Sequence, residues 1–113
     1  MVKDNKYIAQ EILLQLGGRH FLVMTGTKNL VWDSPTCTLT MKLTIRNKIG
    51  AGWFRVQLNA WDLYDISFLK LNKDRNGTII LKEMQNIYAD QLRGLFEQET
   101  GLYTSLTHRY SND

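Results

Sequence analysis

The chain contains a single cysteine, Cys37, and only two histidines, His20 and His108. One thiol excludes an intramolecular disulfide and any thiolate metal cluster built from this chain alone, and it fits a reducing compartment, the cytoplasm. In that compartment the Asn76-Gly77-Thr78 sequon is irrelevant. Neither histidine stands in an H-E-x-x-H pair, and the glycines form neither a P-loop nor a dinucleotide fingerprint. A long apolar run is also missing. MVKDNKYIAQEILLQLGG is interrupted by Lys3, Asp4, Lys6 and Glu11, so neither a signal peptide nor a membrane span is expected. No repeat, low-complexity tract or linker divides the 113 residues, and the expectation is a single domain over residues 1–113 with one core. These absences leave little for catalysis. Cys37 falls on an apolar alternation that buries it, His20 reads as a strand histidine, and Asp33, Asp62 and Asp65 read as solvated acids rather than a magnesium site. A non-catalytic protein without a cofactor is expected.

The net charge of +3 is unevenly spread, with +5 over residues 1–59 and −2 over residues 60–113. The basic half is where a polyanionic partner is to be sought. Residues 5–16 place Ile8, Ala9, Ile12, Leu13 and Leu16 on one helical stripe that Gly17-Gly18 ends. RHFLVMTGTKNLVWD reads as two strands, 20–25 and 30–32, around a turn at Gly26-Thr27-Lys28-Asn29. That turn can also be read as a phosphate cradle with Lys28, although plain turn geometry is the preferred account.

Thr36 to Arg46 alternates without a break, with Cys37, Leu39, Met41, Leu43 and Ile45 inward. WFRVQLNAW resumes the alternation, and pairing Arg46 with Trp53 brings the two apolar faces together in an antiparallel hairpin. The outer face then carries Lys42, Arg46, Trp53, Arg55 and Trp61, and two tryptophans on a polar, basic face require an explanation. Met84, Ile87, Tyr88, Gln91, Leu92, Leu95 and Phe96 follow the spacing of a C-terminal helix ending near Gly101.

Residues 72–83, NKDRNGTIILKE, fit a twelve-position calcium loop, with Asn72, Asp74, Asn76, Thr78 and Glu83 as the ligand positions and Gly77 at the sharp turn. Asn72 brings no charge, a lone hand has no partner hand, and the same letters read as a turn at 75–77 leading into a β-branched strand. The hairpin is preferred and the calcium loop kept as an alternative.

The segments IAQEILLQLGG, HFLVMTGTKN, VQLNAWDLYDISF and YADQLRGLFEQETGLYTSL together resemble a set of small, functionally uncharacterised proteins encoded by bacteriophages and other bacterial mobile elements, over roughly residues 8–106. The resemblance implies a viral or mobile-element origin and a site of action in the cytoplasm of a host bacterium. It carries no catalytic motif and transfers no functional residue. The fold expected is α+β: an N-terminal helix, an antiparallel sheet of about six strands, and a C-terminal helix packed on one face. The function expected is binding of single-stranded nucleic acid through Lys28, Lys42, Arg46, Lys48, Trp53, Arg55 and Trp61, the tryptophans stacking on bases and the cations meeting phosphates. The alternative is a protein-interaction module, either a homodimer or an inhibitor of a host protein, using the same face. No membrane partner is expected.

Overall fold

The computed structural model describes residues 5–74 and 76–104. His108 and the rest of the C-terminal tail lie outside them. The elements run α1 (Asn5–Leu16), α2 (Arg19–Thr25), β1 (Thr27–Asp33), β2 (Thr38–Leu43), β3 (Trp53–Leu58), β4 (Tyr64–Leu71), β5 (Thr78–Ile87) and α3 (Ala89–Thr100). The strands form an antiparallel meander in the order β1-β2-β3-β4-β5. The α+β expectation therefore holds, with five strands in place of about six.

Helix α1 buries Ile8, Ile12 and Leu16, one residue per turn on a single stripe. It stops where predicted, as Gly17 and Gly18 take φ of 128° and 62° and donate their N–H groups to Leu14 O and Leu13 O. The expected strand at 20–25 is instead helix α2. Phe21 and Thr25 lie four apart on one buried face, and the Thr25 hydroxyl donates to Phe21 O at 2.6 Å. Gly26 ends the helix in the left-handed region at φ 64°. A short apolar run such as FLVM has no period of its own, and burial against the rest of the chain decides its form.

In the β2–β3 hairpin the faces are as predicted and the register is not. Lys42, not Arg46, pairs with Trp53, followed by Met41 with Phe54 and Leu39 with Val56. A slip by an even number of residues leaves every side chain on its own face, so the pattern cannot detect it. The longer loop explains the slip: the Asn47 side chain accepts from Ala51 N–H and donates to Ile45 O and Ala51 O, while Lys48 N–H donates to Thr100 O at the end of α3. The expected inward position of Ile45 falls in this loop, and its side chain is exposed.

The helix expected from Met84 begins only at Ala89, because β5 continues to Ile87. Met84 pairs with Ile66 and Ile87 with Tyr64, across a bulge that adds one residue to β5. The bulge places Met84 and Ile87 three apart on one face, which imitates helical spacing. A second bulge in β5 separates the Leu69–Ile80 and Phe68–Lys82 pairs, and β1 carries one between Lys28 and Val31. All three extra residues lie on the strands at the sheet's edges.

The core lies on one side of the sheet. Ile8, Ile12, Leu16, Phe21, Leu92 and Phe96 from the helices join Leu39, Met41, Phe54, Val56, Ile66 and Phe68 from the strands in one cluster. The Phe96 ring meets Phe54 at 5.0 Å, Phe21 at 5.1 Å and Phe68 at 6.3 Å between centroids. Lys82 on β5 bridges to Glu99 on α3 at 3.1 Å and marks the rim of this layer. Tyr64, on the same side, has its phenol pushed above the usual range by burial, with Glu11 adding to the rise and Gln15 opposing it. Among the described residues no helix is long and apolar enough to cross a membrane.

Because Phe96 is fully buried among three other rings, Phe96→Ala is expected to lower the unfolding free energy by about 3–5 kcal/mol, read from the shift of a urea transition at unchanged slope.

Candidate functional site

Since all three helices feed the cluster on one side, no helix among the described residues covers the other face of the sheet. Directly paired residues share a face, so the pairings define what this open face carries. Its first row is Lys28, Lys42, Trp53, Leu69 and Ile80, taken across the strands from β1 to β5. The middle row is Val31, Thr40, Arg55, Ser67 and Glu83. The third begins with Asp33, Thr38, Gln57 and Asp65.

The rows differ in chemistry. In the first, the Lys42 ammonium sits 6.0 Å from the centroid of the Trp53 ring, within cation–π reach. Leu69 is 1% exposed yet stands outside the main cluster, which makes it the floor of a small apolar patch of its own. Trp53 and Ile80 flank it in the ladder, and Leu71, 52% exposed, extends the patch towards the sheet end. A shallow groove of about 260 Å³ runs over this patch, lined by Thr40, Trp53, Arg55, Leu69, Leu71 and Thr78.

Arg55 occupies the middle of β3, the central strand, and borders this groove and two polar ones. The first polar groove is bounded by Asp33, Thr36, Thr38 and Gln57, the second by Gln57, Asp65, Ser67 and Glu83. Arg55 is half-buried as a residue, and its side chain takes no hydrogen bond or ion pair among the described residues. A guanidinium without a partner has all its N–H donors available to the acceptors of a ligand.

The sequence-derived site is partly brought together. Lys28, Lys42, Trp53 and Arg55 share the open face. Arg46 and Lys48 are exposed in the β2–β3 loop at the Lys42 end, but Lys48 is turned toward the helix layer, its Cβ close to Gly101. Trp61 is separated from them. It lies in the β3–β4 turn at the far end of β3 and is 78% exposed. Asn59 builds that turn: its Oδ1 accepts from Trp61 N–H and Leu63 N–H, and its Nδ2 donates to Asp65 and Asn86 at 2.9 Å each. Asp62 completes it in the left-handed region at φ 61°.

The face is also not uniformly basic, as the sequence alone suggested. Asp33, Asp65 and Glu83 lie on it, so the charge runs from lysines at one end of the strands to acids at the other. Leu69, Leu71, Ile80 and Ser67 are additions that sequence reading missed. The signal was in DISFLKL, where Ser67, Leu69 and Leu71 alternate against the inward Ile66 and Phe68.

The remaining candidates are distributed by the fold. Gly26 in the proposed phosphate cradle is the C-terminal cap of α2, an end that presents carbonyls and partial negative charge. Asn72, Asp74 and Asn76 lie in the β4–β5 turn, whose flanks are strands rather than the helices of a calcium-binding hand, and Asn72 N–H donates to Gly77 O at 3.0 Å. Of the turn expected at 75–77, residue 75 lies outside the described residues, and the described residues between β4 and β5 are 72–74, 76 and 77. Thr78 opens β5, and Glu83 is five residues further along it, roughly 16 Å in an extended strand, which carries it away from Asp74.

Of the three tryptophans, Trp61 alone stands fully in solvent while Trp32 and Trp53 are half-buried. Acrylamide quenching of the wild-type emission is therefore expected to be dominated by Trp61, and Trp61→Phe should remove the steepest component, whereas Trp53→Phe should leave it in place. No protein-family model, curated protein or solved structure matches the chain, so the site rests on its own geometry.

Proposed function

We propose that the open face of the sheet binds single-stranded nucleic acid. Trp53 is the stacking platform, and Arg55, Lys42 and Lys28 are the cations that meet phosphates. The observation that carries this reading is Arg55, whose side chain has no partner among the described residues, at the centre of a face that no described helix covers and two residues from the half-buried Trp53. A base has a π-face for Trp53 and its phosphate has the acceptors Arg55 lacks, so one ligand satisfies both. Lys28, Lys42 and the loop residue Arg46 extend positive charge along one end of the strands, a track for the backbone that leaves the bases over the face. With the phage and mobile-element resemblance of the sequence, the protein becomes a non-catalytic accessory factor handling single strands in the cytoplasm of a host bacterium.

The apolar patch supports a second reading. Leu69, Leu71 and Ile80 beside Trp53 are the composition of an interface core with an arginine at its rim, which favours a protein partner or a second copy of this chain. Light scattering separates the two: a stable dimer that Trp53→Glu converts to monomer supports the protein interface.

For nucleic acid, Trp53→Ala is expected to weaken binding of a labelled oligothymidylate by about 1–3 kcal/mol, the loss of one stacked base. Arg55→Ala should weaken it and also reduce the slope of log affinity against log salt by about 0.7 for one lost phosphate contact on a single strand. Unchanged affinity and slope in both variants would rule the reading out. Fluorescence anisotropy over a salt series measures both quantities.

A further inference from the structure

Resting on that reading, we infer that the slot between Arg55 and Glu83 is a base-selective subsite for guanine. The slot encloses about 160 Å³ on the open face, and its polar walls are Arg55, Gln57, Asp65, Ser67, Glu83 and Gln85. Arg55 and Glu83 stand on either side of Ser67 in one row of the ladder, so their backbones are two strand spacings apart, roughly 9.5 Å. Ser67 is the small residue between them, and its shortness opens the slot. Neither Arg55 nor Glu83 takes a hydrogen bond or ion pair among the described residues. A donor-only and an acceptor-only side chain thus line one slot from strands on either side of Ser67.

A phosphate is disfavoured on the Glu83 side of Arg55, so the phosphate contact of this arginine is made from the Lys42 side and the slot takes its remaining N–H donors. Any phosphate drawn to Arg55 from the slot faces the carboxylates of Asp65 and Glu83. What fits is a planar, neutral group with two acceptors on one edge and donors on the other. Guanine has O6 and N7 for a bidentate contact from arginine, and N1–H with the 2-amino group for a bidentate contact to a carboxylate. Adenine presents an amino group where O6 would stand. Cytosine has one amino group, on the same edge as its acceptors, and thymine or uracil has a single ring N–H. Glu83 is the carboxylate for this role because Asp65 Oδ1 already accepts from Asn59 and from Asn86 N–H. The Ser67 hydroxyl supplies either sense of hydrogen bond at the floor of the slot, while the Gln57 amide at its end donates to Thr36 O. Trp53, on the same face two residues along β3 from Arg55, is placed to stack on the neighbouring base. Single strands are read in this manner, with bases splayed from the backbone and contacted on more than one edge.

The test uses the whole chain and labelled heptamers, heptathymidylate DNA and heptauridylate RNA, in which only the central base is varied. A central guanine is expected to tighten binding about tenfold over the parent heptamer. Hypoxanthine, which lacks the 2-amino group, and 7-deazaguanine, which lacks N7, should each lose most of that gain. Glu83→Gln should close the gap between guanine and hypoxanthine. A gain confined to DNA or to RNA supports the subsite and assigns the strand it serves. If guanine, hypoxanthine and cytosine bind alike, or cytosine binds best, while Trp53→Ala still weakens every oligomer, the guanine subsite is overturned and the binding face stands. If no heptamer of either kind binds, the nucleic-acid reading of the face falls and the subsite falls with it.

Discussion

The contact of the Phe96 ring with Phe21, Phe54 and Phe68 is the constraint on which the rest of the architecture depends. It ties α3 and α2 to the two strands at and next to the middle of the sheet. A domain of this size has enough large apolar side chains for one such centre. With the four phenylalanines spent on one side, the three helices gather there and the sheet is covered once. The open face is a consequence of how the aromatic residues are distributed along the chain.

What then occupies the open face is a mixture of polar and apolar groups. Threonines, Gln57 and Ser67 keep it wet, while Leu69 and Trp53 hold a dry spot at one end. Charge of opposite sign sits at opposite ends of the strands, so the field along the strand direction is stronger than the near-neutral sum suggests. A ligand lying there is oriented as well as held. The Arg55 side chain, at the middle of the central strand, has no partner among the described residues.

Much of this was legible in the sequence, and the failures have physical causes. Leu39, Met41 and Leu43 against Phe54 and Val56 defined both faces of the central hairpin, because a period of two with one side buried leaves no choice of face. The register slipped by four since faces are blind to even shifts, and the Asn47 clasp that fixes the loop has no periodic signature. Helix α2 was hidden because residues 20–25 are too short for a period to emerge. Met84 and Ile87 imitated a helix because a bulge, not a helical turn, separates them. At the site, alternation alone put Trp53, Arg55 and Lys42 on one face, though the slipped register set Lys42 opposite Gln57 instead of Trp53, whereas Trp61 was assigned to the face by extending the alternation past the end of β3. Glu83 and Ser67 come to Arg55 through long-range pairing of β4 and β5, which no local pattern encodes.

The bulges have a further consequence. An exposed strand edge is a template, and sequences such as TIILKE and TLTMKL are the kind that stack into fibrils when their backbones meet in register. TLTMKL is sheltered inside the sheet as β2. TIILKE is at an edge, as is β1, and each edge strand has its hydrogen-bonding row broken and twisted by an extra residue, so an arriving strand finds only short stretches to zip against. Copies of the chain that collide edge to edge are denied the continuous ladder that fibril growth requires. Among the described residues the sheet is five strands wide with both edges interrupted, a form that can remain dispersed where copies of the chain are concentrated.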